Sequence, residues 1–201
     1  MLPFSCDKNG FGFATPTRGF AGGDCAGGAP FLYRTDDGGR TWHRLPLPGV
    51  AICECDVSAP RFSSARAGAL YLNGFTEPEQ GSGRPLVRVY WTSDGGAHWQ
   101  GSGPDAGRAV AVAIAGPRSA WVAAAAPGRI RGAFDRLYRT SDGGRSWQAL
   151  PLSFDADGYQ LDAVSTTLAY AFRGVNGGST ILRTEDGGRS WQKIHTVAAR
   201  T

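Results

Sequence analysis

An octapeptide that begins with Thr and ends with Trp occurs four times in this chain and constrains the fold more than any other feature. The first copy reads TDDGGRTW at residues 35–42, and the others occupy residues 92–99, 140–147 and 184–191. Thr is always first, Asp third and Trp eighth. A short unit that recurs through a chain indicates one supersecondary module, copied and stacked. Most of the sequence is therefore interpreted as four versions of one structural unit.

Each octapeptide lies between two segments that have the composition of β-strands. The preceding segments, at residues 31–34, 87–91, 136–139 and 180–183, are rich in β-branched and aromatic residues. The Trp at the end of each octapeptide leads into another short strand. Between the strands, Asp and Gly supply the compact polar side chain and the positive φ angles that a tight turn needs. Each copy is predicted to be a β-hairpin.

A second pair of apolar segments precedes each hairpin and raises the count to four strands per copy. In the later copies the pairs are 57–62 with 67–72, 109–115 with 119–125, and 161–165 with 167–172; in the first copy they are 2–6 with 10–14. The third-position aspartates are 57, 48 and 44 residues apart (37 to 94, 94 to 142, 142 to 186). A four-stranded propeller blade takes roughly 40–50 residues.

The predicted fold class is all-β: a β-propeller of four-stranded antiparallel blades, with four blades in this chain. The blades form either a closed four-blade ring or a partial arc of a larger propeller. One domain is predicted over residues 1–201, because the copies run almost end to end, with blades at approximately 1–48, 49–103, 104–152 and 153–201. An arc would leave apolar blade faces uncovered, so it would form a homodimer or stack on additional blades.

The octapeptide resembles the Asp-box, or bacterial neuraminidase repeat (BNR), whose pattern is Ser or Thr, any residue, Asp, any, Gly, any, Thr or Ser, Trp. Copies one, three and four match at every position, whereas copy two has His98 where the pattern has Thr or Ser. Asp-box β-propellers include sialidases, some xyloglucan hydrolases, sortilin-type receptors and photosystem assembly factors of the Ycf48 type. The resemblance thus implies a propeller, but it leaves several function classes open.

The box residues are predicted to be structural. An Asp in a turn accepts hydrogen bonds from backbone N–H groups and from a nearby hydroxyl, and a Trp ring can be buried between blades. Carboxylates that act together on a glycosidic bond must lie within about 10 Å of each other, whereas one Asp per blade would be spread around a ring. The predicted structural residues are Thr35, Asp37, Gly39, Thr41, Trp42, Thr92, Asp94, Gly96, Trp99, Thr140, Asp142, Gly144, Ser146, Trp147, Thr184, Asp186, Gly188, Ser190 and Trp191.

An Arg precedes the box in three copies, as Arg34, Arg139 and Arg183, and Trp91 takes this place in copy two. These side chains either form a positive patch or cover an apolar strand with their aliphatic stems. The sequence leaves both interpretations open.

Any ligand is expected on the face opposite the box turns, where the long loops emerge. These loops are 16–30, 76–85, 127–135 and 175–179 within blades, and 46–55, 101–107 and 153–159 between them. Loops on a rigid scaffold are where binding residues concentrate. The candidate binding residues are Asp24, Glu77, Glu79, Arg84, Asp105, Arg129, Arg131, Asp135, Asp155, Asp157 and Tyr159.

Two functions are consistent with these patterns. The preferred one is a noncatalytic scaffold that binds a protein or glycan partner through the loop face. The alternative is a glycoside hydrolase, sialidase-like or xyloglucanase-like, active or degenerate. Resemblance to sialidases would imply three arginines for the substrate carboxylate, a Tyr nucleophile, an Asp acid and an Arg-Ile-Pro motif near the start. That motif is missing, and the segment GRIR at residues 128–131 lacks its Pro. The noncatalytic role is therefore preferred, and whether the chain is a glycoside hydrolase is left open.

Charge and hydropathy narrow the range of partners. The net charge is +4, but the positive residues are dispersed, whereas nucleic-acid binding needs them gathered on one face. No segment approaches the roughly 20 apolar residues of a membrane span. No cofactor motif occurs, and Cys53-Glu54-Cys55 has the wrong spacing for a zinc site. The sequence therefore predicts no nucleic-acid binding, no membrane span, no metal site and no cofactor.

The four cysteines, Cys6, Cys25, Cys53 and Cys55, all lie in the first third of the chain. They are consistent with one or two local disulfides in an oxidising compartment, or with buried free thiols. The sequence names no compartment. An extracellular or cell-envelope location is favoured if a signal peptide precedes this chain.

Overall fold

The computed structural model describes residues 6–24, 30–50, 53–76, 83–127, 129, 133–175 and 178–197. These residues form seventeen β-strands in antiparallel sheets, and none of them is helical. The prediction of an all-β fold with four blades is confirmed. Accordingly, the described residues include no helix that is long and apolar enough to cross a membrane.

The chain divides into two compact units, unit 1 (Met1–Gly103) and unit 2 (Pro104–Thr201). Unit 1 holds two blades. Blade 1 has the strand order β1-β2-β3-β4, and blade 2 the order β5-β7-β8-β9 with β6 also paired to β7. The strands are β1 (Asp7–Phe13), β2 (Gly19–Asp24), β3 (Phe31–Thr35), β4 (His43–Leu45), β5 (Cys53–Val57), β6 (Arg61–Phe62), β7 (Gly68–Thr76), β8 (Pro85–Thr92) and β9 (Gln100–Ser102).

Unit 2 holds the other two blades, each a meander of four antiparallel strands. Blade 3 has the order β10-β11-β12-β13 and blade 4 the order β14-β15-β16-β17. The strands are β10 (Ala109–Gly116), β11 (Ser119–Ala124), β12 (Arg136–Thr140), β13 (Gln148–Pro151), β14 (Gln160–Ala163), β15 (Ala169–Val175), β16 (Gly178–Thr184) and β17 (Gln192–Val197).

The strand prediction for the first copy was wrong in its first half. Residues 10–14 were expected to be the second strand, but they belong mostly to the first strand, β1, while β2 (Gly19–Asp24) lies inside the predicted loop 16–30. The glycines of β2 suggest a loop in the sequence, yet blade 2 requires them. A Cβ on Gly22 would lie 2.9 Å from the carbonyl oxygen of Ser58. Such close backbone approach is a recognised reason for Gly in a strand.

The first strand of copy two was predicted as one segment, 57–62, and is instead two. β5 and β6 both pair with β7, and the chain between them includes Pro60. Pro has no N–H to donate and so interrupts a strand ladder. In addition, residues 53–55, which were expected in the loop 46–55, lie in β5.

Each unit has its own hydrophobic core between its two blades. In unit 1, Phe20 and Leu32 of blade 1 pack with Val57, Leu72 and Trp99 of blade 2, among others. In unit 2, the core of blade 3 includes Trp121 and Leu137, and blade 4 contributes Ala163 and Ala169 with partly buried Trp191. Burial of such side chains contributes about 1.5–3 kcal/mol each for the larger ones, so blade-to-blade packing dominates stability within a unit.

The cysteines that the structure describes are all in disulfides. Cys53 and Cys55, both on β5, are bonded to each other, and Cys6 is also disulfide-bonded. Free thiols are therefore excluded for these three residues. Cys25 lies outside the described residues.

Candidate functional site

The box turn of each blade joins its third and fourth strands and is held by hydrogen bonds within the octapeptide. In copy one the buried Thr35 hydroxyl donates to Asp37 Oδ1 at 2.7 Å and accepts from the Gly39 N–H at 2.9 Å. The Thr41 N–H donates to Asp37 Oδ1 at 2.8 Å, and the Thr41 hydroxyl donates to Oδ2 at 2.6 Å. Both carboxylate oxygens are thus occupied.

Copies three and four repeat this arrangement with Ser in the seventh position. Ser146 and Ser190 each donate to an aspartate Oδ2 at 2.6 Å through the hydroxyl. Hydroxyl and backbone N–H donors stabilise the charged form of a carboxylate. The hydroxyl of residue seven, followed by its N–H, holds the pKa of each carboxyl well below its usual range, for Asp37, Asp142 and Asp186.

Copy two keeps the arrangement although it departs from the pattern at His98. The ring Nδ1 of His98 lies 2.7 Å from Asp94 Oδ2, the place of the missing hydroxyl, and the His98 N–H donates to Oδ1 at 3.0 Å. Burial raises the pKa of Asp94, but the hydrogen bonds from His98 and Thr92 together lower it by more. An imidazole thus substitutes for the hydroxyl at this position.

The fourth residue of each box ties the turn to the rest of its blade. The N–H of this residue donates to a carbonyl one or two residues before the second strand of the same blade, at 2.8–3.0 Å. The donors are Gly38, Gly95, Gly143 and Gly187, and their acceptors are Thr17, Arg66, Arg118 and Thr167, in that order. All four donors have positive φ near 75°. Gly adopts this conformation without a steric penalty.

The fifth residue of the box packs on the neighbouring blade inside each unit. In unit 1, a Cβ on Gly96 would lie 2.2 Å from Cζ of Phe20, which belongs to blade 1. In unit 2, a Cβ on Gly188 would lie 2.2 Å from Cδ2 of Leu137 in blade 3. The box turns of blades 2 and 4 therefore close directly over the core of the preceding blade.

The box tryptophans of blades 2 and 4 pack against the neighbouring blade of their unit. Trp99 is buried, with its ring edge-to-face against Phe20 of blade 1 at a centroid distance of 5.9 Å. Trp191 makes the equivalent contact with Trp121 of blade 3 at 6.5 Å. Edge-to-face pairs at such distances contribute beyond their buried area.

The arginines before the boxes divide into two kinds. Arg34 pairs with Asp36 at 2.7 Å, and Arg183 pairs with Glu185, in each case the acid at box position two. In blade 3, the residue at box position two is Ser141, so Arg139 has no acid there to pair with. Its Nε and Nη2 donate instead to Gln148 Oε1 at 3.0 and 2.7 Å, and its Nη1 donates to the carbonyl of Gly187, in the box of blade 4, at 2.7 Å.

A cleft opens at the box end of unit 2, beside Arg139. We call it the box-end cleft; its volume is about 350 Å³. Blades 3 and 4 both contribute to it. Its walls are mostly polar and are formed by Trp121, Arg139, Thr140, Ser141, Ser146, Gln148, Thr166, Thr167 and Arg189.

A second cleft, the loop-end cleft, lies on unit 1 at the opposite end of blade 1. β3 runs from Phe31 to the box at Thr35, and β4 returns from the box to Leu45, so residues next to Phe31 and Leu45 lie at the loop end. The cleft has a volume of about 370 Å³ and is lined by Pro30, Arg44, Leu45, Pro46, Leu47 and Val50. Five of its six lining residues have apolar side chains and the sixth is the exposed Arg44, while polar and apolar atoms contribute similar shares of the cleft surface.

Several of the predicted loop residues lie together in unit 2. Asp155 accepts the N–H of Phe134 at 3.0 Å and that of Asp157 at 3.1 Å, which holds the loop between blades 3 and 4 against the loop before β12. Asp135 follows Phe134, and its Oδ1 lies 3.8 Å from Nε of Arg136. Tyr159 packs on Phe154, with the guanidinium of Arg173 5.7 Å from its ring.

The other candidates are more scattered. Asp24 ends β2 and accepts from the Asn9 amide at 3.3 Å. Arg84, Asp105 and Arg129 are exposed. Glu77, Glu79 and Arg131 lie outside the described residues. No three His, Cys, Asp or Glu side chains among the described residues are grouped to hold a metal ion. That the loop residues bind a ligand, and that the box residues are purely structural, stay predictions.

Sequence reasoning missed both clefts. The loop-end cleft depends on how the segment after β4 packs on the core of unit 1, for which the sequence offers no local signal. The box-end cleft could have been noticed from one difference between copies. Arg139 is followed two residues later by Ser, whereas Arg34 and Arg183 are followed by an acid.

Comparison with known proteins supports the repeat and the fold. The BNR/Asp-box repeat family model matches residues 33–44, which contain the first box. A search of curated protein sequences finds no match. Among solved structures, Ycf48 bound to D1 peptide is similar with a TM-score of 0.47 and 15% identity, over 96% of this chain and 82% of that one.

Two glycoside hydrolases of family GH74 are also similar. An ancestral GH74 enzyme has a TM-score of 0.52 and 13% identity, over 93% of this chain and 25% of that one. The GH74 xyloglucanase from Xanthomonas campestris has a TM-score of 0.36 and 16% identity, over 95% of this chain and 41% of that one. This chain thus spans less than half the length of either enzyme. This chain thus contains a BNR/Asp-box repeat at residues 33–44, three further box turns of the same geometry, and four sheets with the fold of β-propeller blades.

Proposed function

We propose that the chain is a noncatalytic β-propeller scaffold that binds a protein partner through its loop face, with the loop-end cleft of unit 1 as a contact point. The observation that carries the proposal is the composition of this cleft. Leu45, Leu47 and Val50 line it and rest on the core of the unit, so its walls are rigid. Pockets of this kind receive the apolar anchor side chains of protein partners.

The exposed Arg44 at the cleft adds a requirement for charge. Arg is enriched at protein interfaces, where it pairs with acidic groups or stacks on aromatic rings. A partner segment with an apolar or aromatic anchor next to an acidic residue therefore fits best. A glycan would favour a site with more polar side chains than the single arginine of this lining.

The box carboxylates are unsuited to act as the general acid of a glycoside hydrolase. Asp37, Asp94, Asp142 and Asp186 each have both oxygens engaged and a lowered pKa. A general acid must hold a proton near the working pH, which a carboxyl with a lowered pKa does not. Glycoside hydrolysis needs such an acid beside a second carboxylate.

Selection from a displayed peptide library tests the proposal. Peptides are selected on the full chain, and their affinities are then measured by fluorescence polarisation. We expect selected sequences to combine an apolar anchor with an acidic residue. Pro46→Asp and Arg44→Glu should weaken binding about tenfold or more, as loss of an interface anchor does. Arg40→Glu, an exposed substitution at the box end of the same blade, is the matched control and should leave affinity unchanged.

Three outcomes contradict the proposal. One is that no selected peptide depends on Pro46 or Arg44. Another is saturable binding on a glycan array that Pro46→Asp abolishes, which would assign the cleft to a glycan. The third is turnover of aryl glycosides or xyloglucan oligosaccharides that is lost in Asp155→Asn or Asp157→Asn, which would make the chain a hydrolase.

A further inference from the structure

The box-end cleft of unit 2 contains two guanidinium groups that no described carboxylate neutralises through an ion pair. Arg139 lies partly buried in the cleft wall, and Arg189, at box position six of blade 4, is exposed at the same cleft. The box carboxylates of the unit, Asp142 and Asp186, have their oxygens occupied by hydroxyl and backbone donors. Both carboxylates stay charged, and the charge of Asp186 acts on Arg139, but neither forms an ion pair with the two arginines, whose side chains line the cleft.

In blades 1 and 4, the arginine before the box has an acidic partner that Arg139 of blade 3 lacks. Arg34 and Arg183 occupy the same position before their boxes, and each is paired with an acid at box position two, Asp36 and Glu185. Blade 3 has Ser141 there, and its hydroxyl lines the cleft. At the corresponding places of unit 1, Asp36 stands for Ser141 and Ala97 stands for Arg189. A pair of cleft arginines without an ion pair to an acid is thus found in unit 2 and not at the corresponding place in unit 1.

Neutral acceptors fix the orientation of Arg139 without cancelling its charge. Its donors go to the Gln148 side-chain oxygen and to the carbonyls of Thr166 and Gly187. Burial, followed by the nearby charge of Arg189, lowers the pKa of Arg139. Because these hydrogen bonds hold the guanidinium in place before any ligand binds, the entropy cost of binding is reduced.

Arg189 supplies the more accessible donors. Its Nη1 donates to the carbonyl of Asp186 at 2.9 Å, which positions the group, and its side chain is exposed. The exposed hydroxyls of Ser141, Thr166 and Thr167 line the same space. A volume of about 350 Å³ is at the small end of the range for ligand pockets. The cleft thus suits a small group with several acceptor oxygens.

We propose that the box-end cleft binds the oxyanion group of a small polar ligand, a carboxylate, sulfate or phosphate, with Arg189 as the main contact and Arg139 as the preoriented second charge. Guanidinium groups bind such oxyanions through charge-assisted hydrogen bonds, and the cleft hydroxyls donate to the remaining oxygens. The site is distinct from the loop-end cleft and does not depend on the proposed protein partner.

Nuclear magnetic resonance of the full chain tests this site with sodium acetate, sodium sulfate and sodium phosphate. The Trp121 indole N–H, which donates to the Ser165 carbonyl at 3.2 Å, and the Arg139 Nε–H are reporters inside the unit. We expect saturable shifts of these signals with at least one oxyanion. Sodium chloride at equal ionic strength should cause no saturable shift. The oxyanion that saturates at the lowest concentration identifies the group among the three.

Two variants and one control separate the site from general charge effects. Arg189→Gln removes the main contact, and Ser141→Asp introduces the acid that blades 1 and 4 carry; each should weaken binding about tenfold or more. Arg145→Gln, also exposed and at box position six but outside the cleft lining, should not change affinity. Thermal unfolding checks that each variant is folded. The proposal is overturned if all salts give only linear shifts, if Arg145→Gln weakens binding as much as Arg189→Gln, or if neither cleft variant changes affinity.

Discussion

The packing of a box turn on the neighbouring blade can be tested by adding one methyl group at the fifth box position. Gly39 and Gly96 both have left-handed φ, 95° and 81°. A Cβ on Gly96 would lie 2.2 Å from Phe20 Cζ and 2.6 Å from Cε1. A Cβ on Gly39 would have no neighbour nearer than Trp42 Cζ2 at 3.7 Å. The two sites thus share backbone strain and differ in packing.

The magnitudes follow from these distances. Left-handed φ costs an L-residue about 1–2 kcal/mol, which applies to both Gly39→Ala and Gly96→Ala. The clash with a fully buried ring adds about 1–3 kcal/mol, the usual cost of overpacking, and only at Gly96. We expect Gly96→Ala to lower the free energy of unfolding by about 2–5 kcal/mol and Gly39→Ala by about 1–2 kcal/mol.

Guanidinium-induced unfolding, followed by near-ultraviolet circular dichroism, measures both variants against the parent chain. Phe20→Leu supplies a further check, because Leu lacks the Cε and Cζ atoms that the new methyl would meet. The double variant Phe20→Leu/Gly96→Ala should be more stable than the sum of the single effects predicts. Equal losses for Gly39→Ala and Gly96→Ala, or strict additivity in the double variant, would refute the reasoning.

Three further predictions follow from the box and the disulfide. Thr184→Val leaves the buried Gly188 N–H without its acceptor at 2.9 Å and should cost about 1–3 kcal/mol in urea unfolding, whereas Thr184→Ser should cost less than half of that. The box carboxylates have folded pKa values below the ordinary 3.8, so the unfolded state binds more protons as they titrate. Their contribution is therefore complete above about pH 5 and declines progressively as the pH falls below about 4 toward the lower folded pKa values. The melting temperature should hold from pH 7 to 5 and fall steadily at lower pH; a melting temperature that is flat down to pH 2.5 would contradict this. Replacing Cys53 and Cys55 together with Ser opens a loop with a sequence separation of 2, so loop entropy predicts a loss of only about 2 kcal/mol, and a loss above 5 kcal/mol would show another role.

The hairpins and their turns could be predicted from the sequence because their determinants are local. Asp37 and Thr41 are four residues apart, and the hydrogen bonds between them lie within the turn itself. The strands β3, β8, β12 and β16 were located for the same reason, since each leads directly into a box.

Errors arose where the role of a residue depends on another strand or loop. Gly22 weakens a strand when its own segment is considered alone, yet it lets the backbone of Ser58 approach. Pro60 divides the first strand of blade 2 while both pieces still pair with β7. The candidate acids of the loop face were selected by polarity, and Asp155 proves to fasten one loop to another.

By itself, the sequence determined the repeat, the all-β class and the chemistry of each turn, since these depend on contacts within about eight residues. Only the tertiary structure decided which box rests on which core and where clefts open. Arg139 and the Gly187 carbonyl are 48 residues apart, and Trp121 and the Ser165 carbonyl are 44 apart. Such pairs meet because two blades pack face to face, and the packing depends on side-chain volumes summed over both surfaces rather than on any short pattern.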